Sequence, residues 1–259
     1  MSATRPVHPD LRGRVAAVTG GGRGLGLAMA RHLAANGAHV LVGSISEQES
    51  EEAAELIRRE GGTVEGSRLD VINREECEAF VARAVDRFGR LDIMMCNAGI
   101  SIPGSAFETD AQAWDRTLAI DLTGVFNTAL AAGRHMVKAG TGGAIVVTSS
   151  TAARVAFEGL TAYCAAKGGV EQLVRSLAAE WGPHGIRVNA VAPGWTSNRM
   201  QGNEAKVDRS MLDAGIDRTP LRRVGEVDEI AAPAVFLASD AASFITGAVL
   251  VVDGGYTAA

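Results

Sequence analysis

The stretch TGGGRGLG, from Thr19 to Gly26, decides the fold. It places five glycines within seven positions, directly after the short apolar run RVAAVT (14–19), and a helical pattern over 25–35 follows at once. A glycine-rich turn that leads into a helix offers bare N–H groups and the positive end of the helix dipole to a pyrophosphate. The same turn could serve only tight packing of a strand against a helix, and the loop alone does not decide between these two interpretations.

Composition bounds the class of protein. The 259 residues are 47% hydrophobic and 21% charged, which predicts one large core, and the net charge of −5 argues against nucleic acid or anionic membrane as the main partner. Residues 1–14 lack the apolar segment of a signal peptide, and no apolar run is long enough to cross a bilayer. The histidines have no metal-ligand spacing, so we expect no metal. Three scattered cysteines, Cys77, Cys96 and Cys164, favour reduced thiols in a cytoplasmic protein.

Short apolar runs alternate with helical patterns along the chain. These runs are continuously apolar, which is typical of parallel strands that helices cover on both faces. We therefore predict an α/β fold: a single doubly wound parallel β-sheet of Rossmann type, forming one domain over residues 1–259. The predicted strands are 14–19, 39–43, 63–71, 91–99, 143–150, 186–194 and 247–255, and the predicted helices are 25–35, 47–60, 74–89 and 162–181.

Small and polar residues collect where the predicted strands end. Besides the glycine loop these are Asp70, CNAG (96–99), TSS (148–150) and APGW (192–195). Ligands of doubly wound sheets bind outside the carboxyl ends of the strands. The sequence therefore predicts a ligand site at this edge, before any family is considered.

Several of these segments, taken in order, resemble the short-chain dehydrogenase/reductase family. They are TGGGRGLG (19–26), CNAG (96–99), Ser150 thirteen residues before YCAAK (163–167), APG (192–194) and VDGG (252–255). The resemblance covers about residues 12–256 of the chain. It implies an oxidoreductase that transfers a hydride between a nicotinamide cofactor and a carbonyl or secondary-alcohol substrate.

The resemblance also implies the catalytic residues Ser150, Tyr163 and Lys167. Tyr163 would act as general acid/base, Lys167 would lower the tyrosine pKa and hold the nicotinamide ribose, and Ser150 would hydrogen-bond the substrate oxygen. The residue chemistry agrees, because Tyr163 and Lys167 are four apart on a predicted helix and share one face. A neighbouring ammonium favours a phenolate, whose ordinary pKa is about 10.

The cofactor-binding residues follow from the same resemblance. Two positions depart from the family pattern. Cys96 replaces the first asparagine of the strand-four motif, and Asn198 replaces the threonine that the family has five residues after the proline at position 193. We interpret Cys96 as an apolar strand residue, because nothing basic is adjacent to activate it. The implied cofactor residues are Gly20, Arg23, Gly24, Leu25, Gly26, Ser44, Asp70, Val71, Asn97, Ala98, Gly99, Tyr163, Lys167, Pro193, Gly194 and Thr196.

Asp121 is a further departure. The segment IDLTGVF (120–126) aligns with the family's VNLTGVF, whose asparagine helps hold the water of a proton relay to the lysine. An ionised carboxylate at Asp121 would pair with Lys167 and oppose phenolate formation at Tyr163. Alternatively, the main-chain carbonyl holds the water and aspartate substitutes with little loss, which is the interpretation that we favour.

The preference between nicotinamide cofactors rests on the end of strand two. An NAD-preferring protein carries an acidic residue there for the ribose 2′-hydroxyl, but this chain has Ser44 and then Ile45, with no carboxylate before Glu47. Arg23, inside the glycine loop, could pair with a 2′-phosphate. We therefore predict NADP(H) over NAD(H), with NAD(H) as the alternative.

Residues 195–221 should form a substrate lid, to which Trp195, Met200 and Met211 make apolar contributions. Its polar composition favours a polar alcohol, sugar-like or acyl substrate, unless the charged side chains of this segment only face solvent.

The family implies a homo-oligomer, commonly a homotetramer. Two alternatives remain: an NAD-dependent alcohol dehydrogenase of the same family, and a catalytically silent nucleotide-binding protein. An α/β-hydrolase is disfavoured because the chain has no G-x-S-x-G nucleophile elbow.

Overall fold

A computed structural model describes residues 7–107, 109–197 and 209–258. Within these ranges, seven parallel strands form one sheet in the order β3-β2-β1-β4-β5-β6-β7. The strands are β1 (Val15–Thr19), β2 (His39–Ser44), β3 (Thr63–Arg68), β4 (Ile93–Cys96), β5 (Gly143–Thr148), β6 (Ile186–Pro193) and β7 (Val249–Val252).

The helices begin and end on local signals in the sequence. Ser46, Asn73 and Asp110 each accept a backbone N–H at a helix start, and Gly89 and Gly140 take left-handed conformations at helix ends. The helices are α1 (Gly24–Ala35), α2 (Glu47–Arg59), α3 (Arg74–Phe88), α4 (Ala111–Leu118), α5 (Val125–Ala139), α6 (Thr161–Trp181), α7 (Arg209–Arg218) and α8 (Val227–Ala238). A π-helical turn, Ala119–Gly124, joins α4 to α5.

Apolar clusters fill both faces of the sheet. On one face, side chains of α1, α2 and α8 pack against alternate strand residues, and on the other face α3, α5 and α6 do so. The central strand β1 is buried along its whole length, which explains its continuously apolar sequence. The predicted doubly wound parallel sheet is confirmed.

The strand order reverses between β1 and β4. The chain moves outward from β1 through β2 to β3, then returns to pair β4 on the other side of β1. Loops that leave β1 and β4 therefore diverge to opposite faces and open a crevice between them. The glycine loop and the CNAG motif lie on the two sides of this crevice.

Element positions agree with the sequence prediction, but the strands from β3 to β7 end earlier than predicted. β4 ends at Cys96 and β5 at Thr148, because the residues that follow leave the sheet to form loops. The sequence interpretation assigned no helix to the segments that form α4, α5, α7 and α8. One of these, α4, contributes to the site described below.

Gly26 tests the close contact between α1 and the glycine loop. A Cβ there would collide with the carbonyl oxygen of Gly20 and lie 2.6 Å from Nδ2 of Asn97. We expect Gly26→Ala to lower the free energy of unfolding by about 1–3 kcal/mol, as overpacking does, in denaturant titrations.

The matched control is Gly182→Ala, whose added Cβ would meet no atom within 4 Å. Its unfolding free energy should stay within about 0.5 kcal/mol of wild type. If Gly26→Ala is as stable as this control, the proposed collision is absent.

Candidate active site

A cavity of about 540 Å³ lies at the carboxyl ends of the strands. Its volume suits a small-molecule or cofactor site. Most residues predicted for the site meet in this one place. Those that line the cavity are Gly20, Arg23, Leu25, Ser44, Asp70, Val71, Asn97, Ala98, Gly99, Ser150, Tyr163, Lys167, Pro193, Gly194 and Thr196.

The glycine loop approaches the end of β4 closely. Gly20 has φ +62°, and a Cβ on it would lie 2.8 Å from Cα of Ala98. Gly24 and Gly26, which the sequence also assigned to the cofactor, are not among the lining residues. Gly24 begins α1 with φ +54°, and Gly26 allows the helix to pack on the loop. Their contribution is to backbone shape rather than to the cavity wall.

Asn97 connects three strand ends. Its Nδ2 donates to the carbonyl oxygens of Thr19 and Gly20, both at 3.2 Å, and its Oδ1 accepts from Oγ1 of Thr148 at 3.0 Å. Oγ1 of Thr19 in turn accepts from the backbone N–H groups of Asn97 and Ala98, each at 3.0 Å. Thr19 and Thr148 were not predicted as site residues, although both lie in the quoted motifs.

The three residues predicted to be catalytic lie together. Ser150 follows β5, while Tyr163 and Lys167 come from successive turns of α6. Ser150 and Tyr163 both line the cavity, and Nζ of Lys167 lies 5.5 Å from the centroid of the Tyr163 ring. Lys167 is only 2% exposed, and its Nζ donates to the carbonyl oxygen of Thr148 at 3.1 Å. The cluster can therefore hold a proton and a positive charge next to the cavity.

Asp121 forms a buried ion pair with Lys167. Its Oδ2 lies 3.2 Å from Nζ of Lys167, and its Oδ1 accepts the backbone N–H of Ile100 at 2.8 Å. Asp121 is completely buried in the π-helical turn between α4 and α5, and such turns are frequent at functional sites. The carboxylate itself, and not only the main chain at this position, contacts the lysine.

Burial and neighbouring charges set the pKa values of this cluster. Burial works to lower the pKa of Lys167, but the Asp121 carboxylate and then Tyr163 more than offset it, so the net shift is upward. Burial raises the pKa of Tyr163 above its ordinary value and Asp121 adds to this, while the Lys167 ammonium and the Ser150 hydroxyl oppose it. The ammonium thus lowers the tyrosine pKa as expected from the sequence, but the net direction is upward.

The adenosine end of the predicted site holds a carboxylate that the sequence interpretation overlooked. Glu49, in the first turn of α2, accepts a hydrogen bond from Oγ of Ser44 at 3.1 Å. Its other oxygen lies 3.8 Å from Nη1 of Arg23. The sequence interpretation counted no carboxylate before Glu47, but the loop after β2 turns α2 back toward the strand end and brings Glu49 to Ser44.

The loop after β3 brings Asp70 and Val71 to the cavity. The carbonyl oxygen of Val71 accepts from Nδ2 of Asn127 at 3.1 Å, and the backbone N–H of Asp70 donates to Oε2 of Glu76 at 2.9 Å. Neither Asn127 nor Glu76 was predicted, since both act on the main chain of the loop. They hold the loop from α5 and α3.

The segment after β6 is only partly described. Pro193, Gly194 and Thr196 line the cavity, and Thr196 forms a bridge with Gly225. Asn198 and Met200 lie outside the described residues, and nothing is described of the Met211 side chain. The predicted lid over 195–221 therefore stays a prediction.

Aromatic contacts surround the start of this segment. Phe157 packs edge-on against Trp195, with ring centroids 5.8 Å apart, and stacks on Tyr256 at 5.7 Å. These rings join the loop after Ser150 to the residues that follow β6 and β7. The sequence interpretation missed Phe157 and Tyr256.

Other classes of site find no support among the described residues. No group of three His, Cys, Asp or Glu side chains in the described ranges could hold a metal ion. None of the helices in those ranges is both long and apolar enough to cross a membrane. Cys96 is fully buried on β4, and burial raises the pKa of its thiol, as it raises the pKa of Cys77 to about 11. These two thiols are therefore inert.

Comparison with known proteins places the chain among oxidoreductases. The family model described as enoyl-(acyl carrier protein) reductase matches residues 20–257. The cis-4-hydroxycyclohexanecarboxylate dehydrogenase of Sinomonas cyclohexanicum is 43% identical over 95% of this chain and 97% of its own length. The D-threitol dehydrogenase of Mycolicibacterium smegmatis is 42% identical over 95% and 94%. A solved short-chain type dehydrogenase/reductase from Mycobacterium marinum is 32% identical, with TM-score 0.92, over 97% and 98%.

Asp121→Asn tests what the buried carboxylate does. Removing the negative charge leaves the Lys167 ammonium free to favour the Tyr163 phenolate, so the tyrosine pKa should fall. We expect any pH-dependent activity that needs this phenolate to rise at a lower pH than in wild type. The measurement is kcat/KM as a function of pH.

The control is cofactor affinity and the melting temperature of the same variant, which show whether the fold has survived. A pH profile that coincides with wild type, in a variant that folds and binds cofactor, would show that the carboxylate has no special role. In that case only the main chain at position 121 matters.

Proposed function

The chain belongs to the short-chain dehydrogenase/reductase family, and from this premise we propose that it transfers a hydride between a nicotinamide cofactor and a secondary alcohol or its ketone through Ser150, Tyr163 and Lys167. The family acts on alcohol and carbonyl substrates. One observation carries the assignment of these residues. Lys167, one helical turn after Tyr163, is buried in contact with the Asp121 carboxylate and with the Thr148 carbonyl oxygen at the end of β5. The three side chains that we propose as catalytic all line the cavity.

The residues of the crevice fit a nicotinamide dinucleotide. Gly20 presents bare backbone directly after β1, where a side chain would collide with the residues that follow β4. The same cavity is lined by Ser44 and Asp70 and by Ser150 and Tyr163. When bound, the nicotinamide supplies or accepts the hydride, which is chemistry that no side chain of the chain can perform.

The protein's own residues move the proton. In alcohol oxidation the Tyr163 phenolate takes the proton of the substrate hydroxyl, and in ketone reduction the Tyr163 phenol returns it. Ser150 donates a hydrogen bond to the same substrate oxygen. The Lys167 ammonium stabilises the phenolate by its charge, and Asp121 keeps that ammonium charged in a buried place. Oxidation therefore rises with pH as the phenolate population grows.

The substrate that we propose is a secondary alcohol bearing further polar groups. The two named relatives act on a hydroxycyclohexanecarboxylate and on D-threitol, a ring alcohol and a polyol. Polar side chains of α4, Asp115 and Arg116, also line the cavity. The polar composition of residues 195–221 favours the same class.

The cofactor preference predicted from the sequence is NADP(H) over NAD(H). Arg23 supports this preference as a partner for a 2′-phosphate. Glu49 opposes it, since its carboxylate lies beside both Ser44 and Arg23. The preference for NADP(H) that we propose requires that Arg23 attracts the 2′-phosphate more strongly than Glu49 repels it.

The homotetramer stays a prediction, which the mass of the protein in solution tests.

A nucleotide-binding protein without turnover is the second candidate function, and Asp121 favours it because its charge opposes the phenolate of Tyr163. A panel of ketones and polyols with both cofactors distinguishes enzyme from binder.

Tyr163→Phe tests the proton-transfer assignment. The variant keeps the ring but cannot carry the proton, so kcat should fall by about 10²–10⁴-fold, the usual contribution of a general acid/base. Cofactor affinity, measured by fluorescence titration, should stay within about threefold, because the fold and the charges remain. Hydride transfer at nearly the wild-type rate would rule out Tyr163 as the acid/base.

Wild-type selectivity tests the cofactor prediction. We expect a higher kcat/KM with NADP(H) than with NAD(H), measured on one substrate at one ionic strength, since salt screens charges at an exposed site. A clear preference for NAD(H) contradicts this prediction and leaves the hydride-transfer assignment intact.

A further inference from the structure

Glu49 is held in place at the open end of the cavity. Its backbone N–H donates to Oγ of Ser46, which caps α2, and a Cβ on Gly22 would lie only 2.9 Å from the Glu49 Cβ. The carboxylate then reaches Ser44 at 3.1 Å and Arg23 at 3.8 Å. The glycine loop, the β2 end and the start of α2 thus meet at this one side chain.

The position of this carboxylate has a chemical consequence for the ribose. In doubly wound dinucleotide sheets, a carboxylate at the end of the second strand accepts a hydrogen bond from the ribose 2′-hydroxyl. Here β2 ends in Ser44, and the carboxylate that reaches the same place comes instead from five residues farther along the chain. A 2′-phosphate would bring a charge of about −1.5 to −2 to a place where a carboxylate already stands.

The charges that face this place come from several elements. Arg23 and Glu49 carry opposite charges and lie near each other, and Asp70, from the loop after β3, adds a second carboxylate to the lining. Arg68, at the end of β3, is itself paired with Glu76 at 2.6 Å. The positive charge of Arg23 is therefore partly balanced by Glu49 before any ligand arrives.

From this geometry we propose that Glu49 is a residue that sets cofactor selectivity: its carboxylate favours a free ribose 2′-hydroxyl and disfavours a 2′-phosphate. The inference rests on the proposed function, because it concerns the nicotinamide cofactor of that same cavity. It concerns how far Glu49 shifts the ratio of NADP(H) to NAD(H) selectivity, and so it holds whichever cofactor the wild-type protein prefers. Repulsion of the wrong ligand is a common source of such selectivity.

The test is Glu49→Gln, which keeps the size of the side chain and an acceptor for Ser44 but removes the charge. We expect the ratio of kcat/KM for NADP(H) to that for NAD(H) to rise about tenfold or more, which corresponds to about 1.4 kcal/mol. The rise should shrink at high salt, because the effect is electrostatic. The matched control is Glu52→Gln, one turn along α2, whose carboxylate is exposed and accepts a hydrogen bond from Gln48. Its ratio should stay within about twofold.

Dissociation constants make the test independent of catalysis. Tryptophan fluorescence gives the affinities for NADPH and NADH, and competition with adenosine 2′,5′-bisphosphate and adenosine 5′-monophosphate isolates the contribution of the 2′-phosphate. In Glu49→Gln the ratio of affinities should shift toward the phosphorylated member of each pair. An unchanged ratio, or the same shift in Glu52→Gln, overturns the proposal. If no substrate is turned over but this shift appears, the catalytic assignment fails and the role of Glu49 stands.

Discussion

The burial of one ammonium group organises the active site. A cation removed from water is costly unless it is paired and hydrogen-bonded, and Lys167 is 2% exposed. Its partners are the Asp121 carboxylate and the Thr148 carbonyl oxygen. These come from the π-helical turn and from the end of β5, while the lysine comes from α6. Moving any of the three elements would leave a buried charge without its partner, so their relative positions are fixed. Tyr163, on the same helix as Lys167, is fixed with them.

At each end of the cavity a carboxylate lies beside a positively charged side chain. Asp121 pairs with Lys167 at the part of the cavity that we propose for catalysis, and Glu49 lies 3.8 Å from Arg23 at the part that we propose for the adenosine ribose. The first pair is buried, where the interaction is strong and insensitive to salt, and it acts on the proton of Tyr163. The second pair is half-exposed and screened, so its effect is on the choice of ligand rather than on stability.

The sequence predicts the sheet, and it predicts that Ser150, Tyr163 and Lys167 meet at the strand ends, for physical reasons. Continuously apolar strands are distinctive of a buried parallel sheet, and polar residues at their ends have few purposes other than ligand binding. Gly24 and Gly26 were assigned to the cofactor site because the motif contains them; in the structure Gly24 has a positive φ, and a Cβ on Gly26 would collide with the Gly20 carbonyl oxygen. Glu49 was missed because its distance from Ser44 depends on how the loop turns α2. Asp121 was noticed, but its contact with Lys167 needs the π-helical turn, which no local pattern announces.

The central claim is that the buried charge pair serves catalysis and not only folding. The double variant Lys167→Met, Asp121→Asn removes both charges and keeps similar volumes, and such replacements of buried ion pairs are often tolerated by the fold. The account predicts a melting temperature within about 5 °C of wild type and hydride transfer slower by about 10²-fold or more, measured at saturating cofactor. A double variant that folds and transfers hydride at the wild-type rate would contradict it.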